Sequence, residues 1–161
     1  MLCFAPATSA PAPVNLSGHS PAVRQSPSQL ARAALTAATE RAITVSSFVR
    51  RMSAGGKRPS IARDGGAVRD CVETMGDTVD RLRSSVKEME LLGRYGSRSF
   101  KWHLSNVQTW VSAALTDENT CLESLSEDKS AAGVRTEIRR QIAGVSKLTS
   151  NALALVNKLD P

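Results

Sequence analysis

From residue 26 onward, apolar side chains recur at steps of three and four through four successive segments. That is the periodicity of a helix with one buried face. The last segment is the plainest: Val134, Ile138, Ile142, Val145, Leu148, Ala152, Leu155 and Leu159 keep that step throughout, a continuous stripe over about seven turns. The second runs Val68, Val72, Met75, Val79, Leu82, Val86 and Met89, stopping near Gly93. The third follows Ser97 or Ser99 with Leu104, Val107, Val111, Ala114, Cys121, Leu122 and Leu125. The first carries Leu30, Ala34, Ala37, Ala38, Val45, Phe48 and Met52, and ends before Gly55-Gly56. Its start is marked by Ser26-Pro27-Ser28-Gln29: a capping serine, a proline at the first helical position, and a glutamine that reaches back to the cap amide. No run alternates with period two, and no Asn-Gly or Asp-Gly turn occurs, so no strand is expected.

Each segment is roughly 24–30 residues, about 35–45 Å as a helix. The links, at residues 54–64, 93–98 and 127–130, are short enough to force consecutive helices antiparallel. The expected architecture is an all-α, up-down-up-down four-helix bundle over residues 28–160. Residues 1–27, rich in Pro, Ser and Ala, read as an extended or partly helical arm.

Composition removes several functions. The net charge of +6 divides evenly, +3 in residues 1–80 and +3 in 81–161, so there is no basic tail built for nucleic acid. Aromatic residues make up only 4% of the chain, which leaves no series of base-stacking platforms. No apolar run reaches the roughly 18–20 residues that span a bilayer. His19 lies in the arm and His103 near the start of the third segment, neither with a carboxylate or cysteine at ligand spacing. There is no C-x-x-C, no Glu-x-x-His on an inward stripe, and no glycine-rich phosphate loop after a strand. Gly65-Gly66 sits at a helix start, where it could hold an anion, but reads rather as a flexible linker. Neither catalysis nor a cofactor is expected.

Cys71 lies beside the stripe of the second segment and Cys121 on that of the third. In an antiparallel hairpin turning near residue 95 the two are level. They therefore read either as a disulfide, worth about 4 kcal/mol in the loop-closure account, or as two buried thiols packed like small apolar residues.

Several motifs together resemble one family. They are Asp70-Cys71, the run Thr109-Trp110-Val111-Ser112-Ala113-Ala114-Leu115-Thr116, Thr120-Cys121-Leu122, and Ser150-Asn151-Ala152-Leu153-Ala154-Leu155. Over about residues 28–159 the chain resembles the plant pectin methylesterase and invertase inhibitors. The resemblance implies a secreted four-helix bundle of the cell wall (the apoplast), with a Cys71–Cys121 disulfide. It also implies an N-terminal helical hairpin closed by a second disulfide. Cys3 matches the second cysteine of that hairpin. The first cysteine and a secretory signal are not found before it, so Cys3 is expected unpaired and the arm a remnant of the hairpin. Asn15-Leu16-Ser17 is a candidate glycosylation acceptor in a secreted chain, at Asn15.

Within that family the invertase branch is similar to proteins with Pro-Lys-Phe between the last two helices. Residues 126–134 read Ser-Glu-Asp-Lys-Ser-Ala-Ala-Gly-Val, so pectin methylesterase is the expected target. Acid invertase is the alternative, and a non-inhibitory basic wall protein the second alternative. The resemblance implies a one-to-one, non-covalent complex with the second to fourth helices across the substrate cleft. Candidate contacts are the carboxylates Asp70, Glu73, Asp77 and Asp80, on one stripe of the second segment, and Gln108, Ser112 and Thr116 on the third. Such a stripe steers a basic partner. As a solvated face it would instead pair Asp77 with Arg81, and Asp80 with Arg83 or Ser84. Trp110 beside Val111 reads as inter-helix packing. Arg50, Arg51, Lys57, Arg58, Arg63 and Arg69 flank the first link and offer weak association with anionic pectin, or simply a solvated loop.

Overall fold

A computed structural model describes residues 25–55, 65–126 and 132–161. Cys3, Asn15, His19, the arm up to residue 24, Lys57, Arg58, Arg63 and the link at 127–131 lie outside the described residues. The four expected helices are present: α1 (Pro27–Ala54), α2 (Gly65–Met89), α3 (Arg98–Ser126) and α4 (Ala132–Asn157). They pack in a ring in which α2 touches α1 and α3, and α4 touches α3 and α1. The described residues contain no strand. None of the helices is long and apolar enough to cross a membrane.

Local chemistry sets the helix ends. The Ser26 hydroxyl accepts from the Gln29 amide at 3.2 Å, and the Gln29 side chain accepts from the Ser26 amide at 2.9 Å, the reciprocal cap expected of that tetrapeptide. Ser97 caps α3, its hydroxyl accepting from the Phe100 amide at 3.0 Å. Between α2 and α3 the chain turns through Gly93 (φ 67°) and Gly96 (φ 75°), a left-handed backbone that side chains with a Cβ resist. Gly65 and Gly66 lie in the first turn of α2 instead of a linker, where the amides have no intrahelical partner and a glycine costs least.

The core is assembled from Leu35, Val45 and Val49 of α1, Met75 and Leu82 of α2, Phe100, Leu104, Val107 and Val111 of α3, and Ile138, Ile142 and Val145 of α4. Two predicted stripes are rotated relative to the core. On α1 the buried line is Ala31, Leu35, Ala38, Ala42, Val45 and Val49, while Leu30 is 45% exposed and Ala37 faces solvent. The alanines of α1 make several faces equally apolar, so the neighbours decide which one turns inward. On α4, Thr149 and Val156 take inward places, and Leu148 is 37% exposed. Thr149 goes inward because it has a buried partner there, Glu118.

Candidate functional site

The α2–α3 seam is the most extensive helix pair in the bundle, and most of the polar residues with unusual surroundings lie along it. At one end Cys71 and Cys121 form a disulfide, with Cα atoms 4.7 Å apart. Both cysteines are fully buried. The level positions read from the sequence are therefore bonded.

Further along, Arg81 Nε donates to Asp117 Oδ2 at 2.6 Å, with the Asp117 side chain only 16% exposed. Arg81 is thus committed across the seam to α3, and the i,i+4 pairing with Asp77 expected of a solvated face is not made. An aspartate on the neighbouring helix offers a half-buried, charge-assisted hydrogen bond; Asp77 on the same exposed surface does not. Asp80 lies 4.0 Å from Arg83, a contact between side chains that are both more than half exposed, which is worth little in water.

The consequence is a groove. Asp77, Asp80, Arg81, Ser84 and Trp110 line an open depression of about 330 Å³ between α2 and α3. Arg81 is neutralised by Asp117, so the two aspartates leave the groove acidic. Trp110 is half-buried, with part of its surface in this groove and part against the bundle. Asp70 and Glu73 are exposed on the same helix, so the acidic stripe of α2 is on the surface as its spacing requires.

The α3 residues of the predicted set do not join this groove. The Gln108 amide donates to Asn157 Oδ1 of α4 at 3.3 Å, which places that residue at the α3–α4 edge. Ser112 and Thr116 continue from it at i+4 and i+8 and are exposed. The Thr116 hydroxyl donates to the Ser112 carbonyl at 3.2 Å. The structure therefore divides the expected contact set between two edges of α3. Asp77 and Asp80 with Trp110 lie on one, and Gln108, Ser112 and Thr116 on the other.

Two polar clusters escaped the sequence reading. His103 Nδ1 lies 2.7 Å from Glu88 Oε1, and the Asn106 side-chain amide donates to the same oxygen at 2.7 Å. This corrects the expectation that His103 has no carboxylate beside it. Glu88 is 15 positions away, on the neighbouring helix, so no spacing rule along one segment finds it. Asn106, followed by His103, holds the Glu88 carboxyl below its usual range despite burial. The second cluster is Glu118, fully buried, whose Oε1 accepts from the Thr149 hydroxyl at 2.8 Å while Oε2 has no hydrogen-bond partner. Burial, with a smaller push from the charge of Asp117, raises its carboxyl to about 7, against the opposing hydrogen bond from Thr149. A signal was available for this residue: the third stripe skips from Ala114 to Cys121, and Glu118 occupies the missing inward step.

Arg50, Arg51 and Arg69 of the first basic cluster are exposed. Among the described residues no group of three or more His, Cys, Asp or Glu converges at metal-binding distance.

A disulfide-tied helical bundle with an open, acidic groove walled by a tryptophan presents a face suited to contact with another macromolecule. The sequence profile described as plant invertase/pectin methylesterase inhibitor matches residues 2–155, and the chain belongs to that family of enzyme inhibitors. It is 44% identical over 146 residues to pectinesterase inhibitor 9 of Arabidopsis thaliana, covering 89% of this chain and 71% of that protein. It is 40% identical over 143 residues to pectinesterase inhibitor 10 of the same plant, covering 89% of this chain and 45% of that one. The crystal structure of a pectin methylesterase inhibitor from Arabidopsis thaliana superposes with a TM-score of 0.68 at 20% identity, over 86% of this chain and 82% of that one. This last likeness shows the shared all-α bundle.

Proposed function

We propose that the protein inhibits plant pectin methylesterase by forming a one-to-one, non-covalent complex that covers the enzyme's substrate cleft, and that it does so in the cell wall. The observation that carries this reading is the 44% identity, over 89% of the chain, to a relative named as a pectinesterase inhibitor. The absence of Pro-Lys-Phe from residues 126–134 favours the esterase over acid invertase as the target. Residues 28–160 act as the inhibitory unit.

The acidic groove supplies a mechanism. Asp77 and Asp80 flank an aromatic wall, and Asp70 and Glu73 extend the negative surface along α2. A basic rim on the esterase would be drawn to that surface at long range, which raises the association rate and sets orientation. Once docked, a rigid bundle excludes substrate by occupying its path, and no bond is made or broken. Ser112 and Thr116, small and exposed on the other edge of α3, allow close backbone approach on a second line of contact.

A paired titration tests the reading. The oxidised protein is added to a plant pectin methylesterase and, separately, to an acid invertase, at mildly acidic pH. Loss of esterase activity near one equivalent, with invertase unaffected, is the expected result. Loss of invertase activity alone transfers the function to the other branch of the family. Activity of both enzymes unchanged at excess inhibitor refutes inhibition.

A further inference from the structure

The end of the bundle where α2 turns into α3 has a surface of the opposite character. Trp102 is 67% exposed, Tyr95 64% and Leu91 56%. Three large apolar side chains exposed at one end of the bundle offer a surface for contact. Arg98, Lys101 and Trp102 stand at i, i+3 and i+4 in the first turns of α3, and so share one side of the helix. Arg94 and Tyr95 lie in the turn just before, with the Tyr95 ring held edge-on to Phe100 at 5.1 Å between centroids.

The charges there are one-sided. Glu90 is engaged by Arg32 at 2.6 Å, and Glu88 by His103 and Asn106. Among the described residues Arg94, Arg98 and Lys101 are exposed and make no salt bridge. Trp102 therefore shares its side of α3 with two cations, Arg98 and Lys101, that no carboxylate engages, while Glu88 and Glu90 at the end of α2 each have a partner.

The geometry points to this surface as a binding site for a polymer of uronic acids, with Trp102 stacked on the apolar face of a sugar ring and Arg98 and Lys101 on the ring carboxylates. A tryptophan hot spot for a protein partner sits at the centre of a packed patch from which the surrounding contacts exclude water. Along its own helix Trp102 instead has Arg98, Lys101 and Ser105 beside it. An open aromatic face bordered by cations suits a hydrated chain that alternates apolar ring faces with anionic groups. The choice of uronic acid rests on the esterase-inhibitor reading: hydrolysis of a pectin methyl ester by water releases methanol and leaves a carboxylate on the sugar. Trp102 and Trp110 are separated by about 12 Å along α3, so the proposed site is distinct from the Trp110 wall of the acidic groove.

Binding of a defined oligogalacturonate is measured by calorimetry on the oxidised protein, with no esterase present, so the result is independent of whether inhibition is observed. The wild type should bind the free acid about tenfold more tightly than the fully methyl-esterified oligomer, and the binding should weaken as salt is raised. W102A should weaken it about fivefold without altering charge. R98Q/K101Q should weaken it about tenfold. R50Q/R51Q, which removes the same charge at the other cluster, should change it less than about twofold. The proposal is overturned if W102A and R98Q/K101Q bind like the wild type, if R50Q/R51Q costs as much as R98Q/K101Q, or if the esterified oligomer binds equally well. It is also overturned if W102A loses esterase inhibition while keeping full affinity for the oligomer, because Trp102 would then be a protein contact. Unfolding midpoints of all variants are expected at the wild-type value, since every altered side chain is exposed.

Discussion

The Thr149 hydroxyl donates to Glu118 Oε1 at 2.8 Å, joining α3 to α4 through two side chains that are both fully buried. The second carboxylate oxygen of Glu118 has no partner, and burying the charged carboxylate costs more than burying the neutral acid.

That arrangement makes stability depend on pH. The Glu118 carboxyl titrates near its ordinary 4.5 when unfolded and at about 7 in the fold, chiefly because burial disfavours the charge. Between those values the folded state holds the extra proton, so stability from this group is complete below about pH 4.5 and is lost as pH rises through about 7. The loss is on the order of 3 kcal/mol. Glu118→Gln should therefore raise the urea midpoint at pH 8 and leave it nearly unchanged at pH 4.5. A variant with the wild-type pH dependence would show that Glu118 is not the group responsible.

Ile142 and Leu148 both lie on the apolar stripe of α4, yet Ile142 is fully buried and Leu148 is 37% exposed. Ile142→Ala should cost about 2–5 kcal/mol, by lost burial and the cavity left behind. Leu148→Ala should cost less than about 1 kcal/mol. Equal losses in chemical denaturation would mean that α4 is rotated from the orientation described.

Cys71 and Cys121 close a loop of sequence separation 50 between α2 and α3. Reduction with dithiothreitol should lower unfolding stability by about 4 kcal/mol. The loss should appear as a shift in midpoint between oxidised and reduced protein, and an unchanged midpoint would mean the thiols are not bonded in solution.

Asp77 and Asp80 are exposed in the groove and neither is needed by the core. Asp77→Lys together with Asp80→Lys should weaken esterase inhibition by about tenfold or more, mainly through slower association, and leave the unfolding midpoint within about 0.5 kcal/mol of wild type. Rapid-mixing kinetics at two salt concentrations make the test. Unchanged association by the double variant removes this stripe from the mechanism.

Much of this protein is legible one segment at a time. The Ser26–Gln29 cap, the turn glycines at 93 and 96 and the repeating apolar steps are local instructions, read by hydrogen bonds and side chains within a few positions of one another. The level positions of Cys71 and Cys121 also follow, because a short link forces antiparallel neighbours. The candidate site is less legible. Asp77 and Asp80 are visible as a stripe. Their union with Trp110 in one groove depends on how α2 and α3 are rotated about their axes, and so does the separation of both from Gln108.

Four amphipathic helices, their order and their antiparallel course can be read along the chain, because periodicity and capping are properties of neighbouring residues; the family is legible separately, in short motifs such as residues 109–116 and Thr120-Cys121-Leu122. Packing between helices settles the rest: Arg81 pairs with Asp117 rather than Asp77, His103 finds Glu88, and Thr149 turns inward to Glu118 while Leu148 turns out. A helix with polar residues inside its apolar face, or with alanine on several faces, has more than one acceptable rotation. The choice falls to the neighbouring helix that can satisfy a buried hydrogen bond or complete a charge pair.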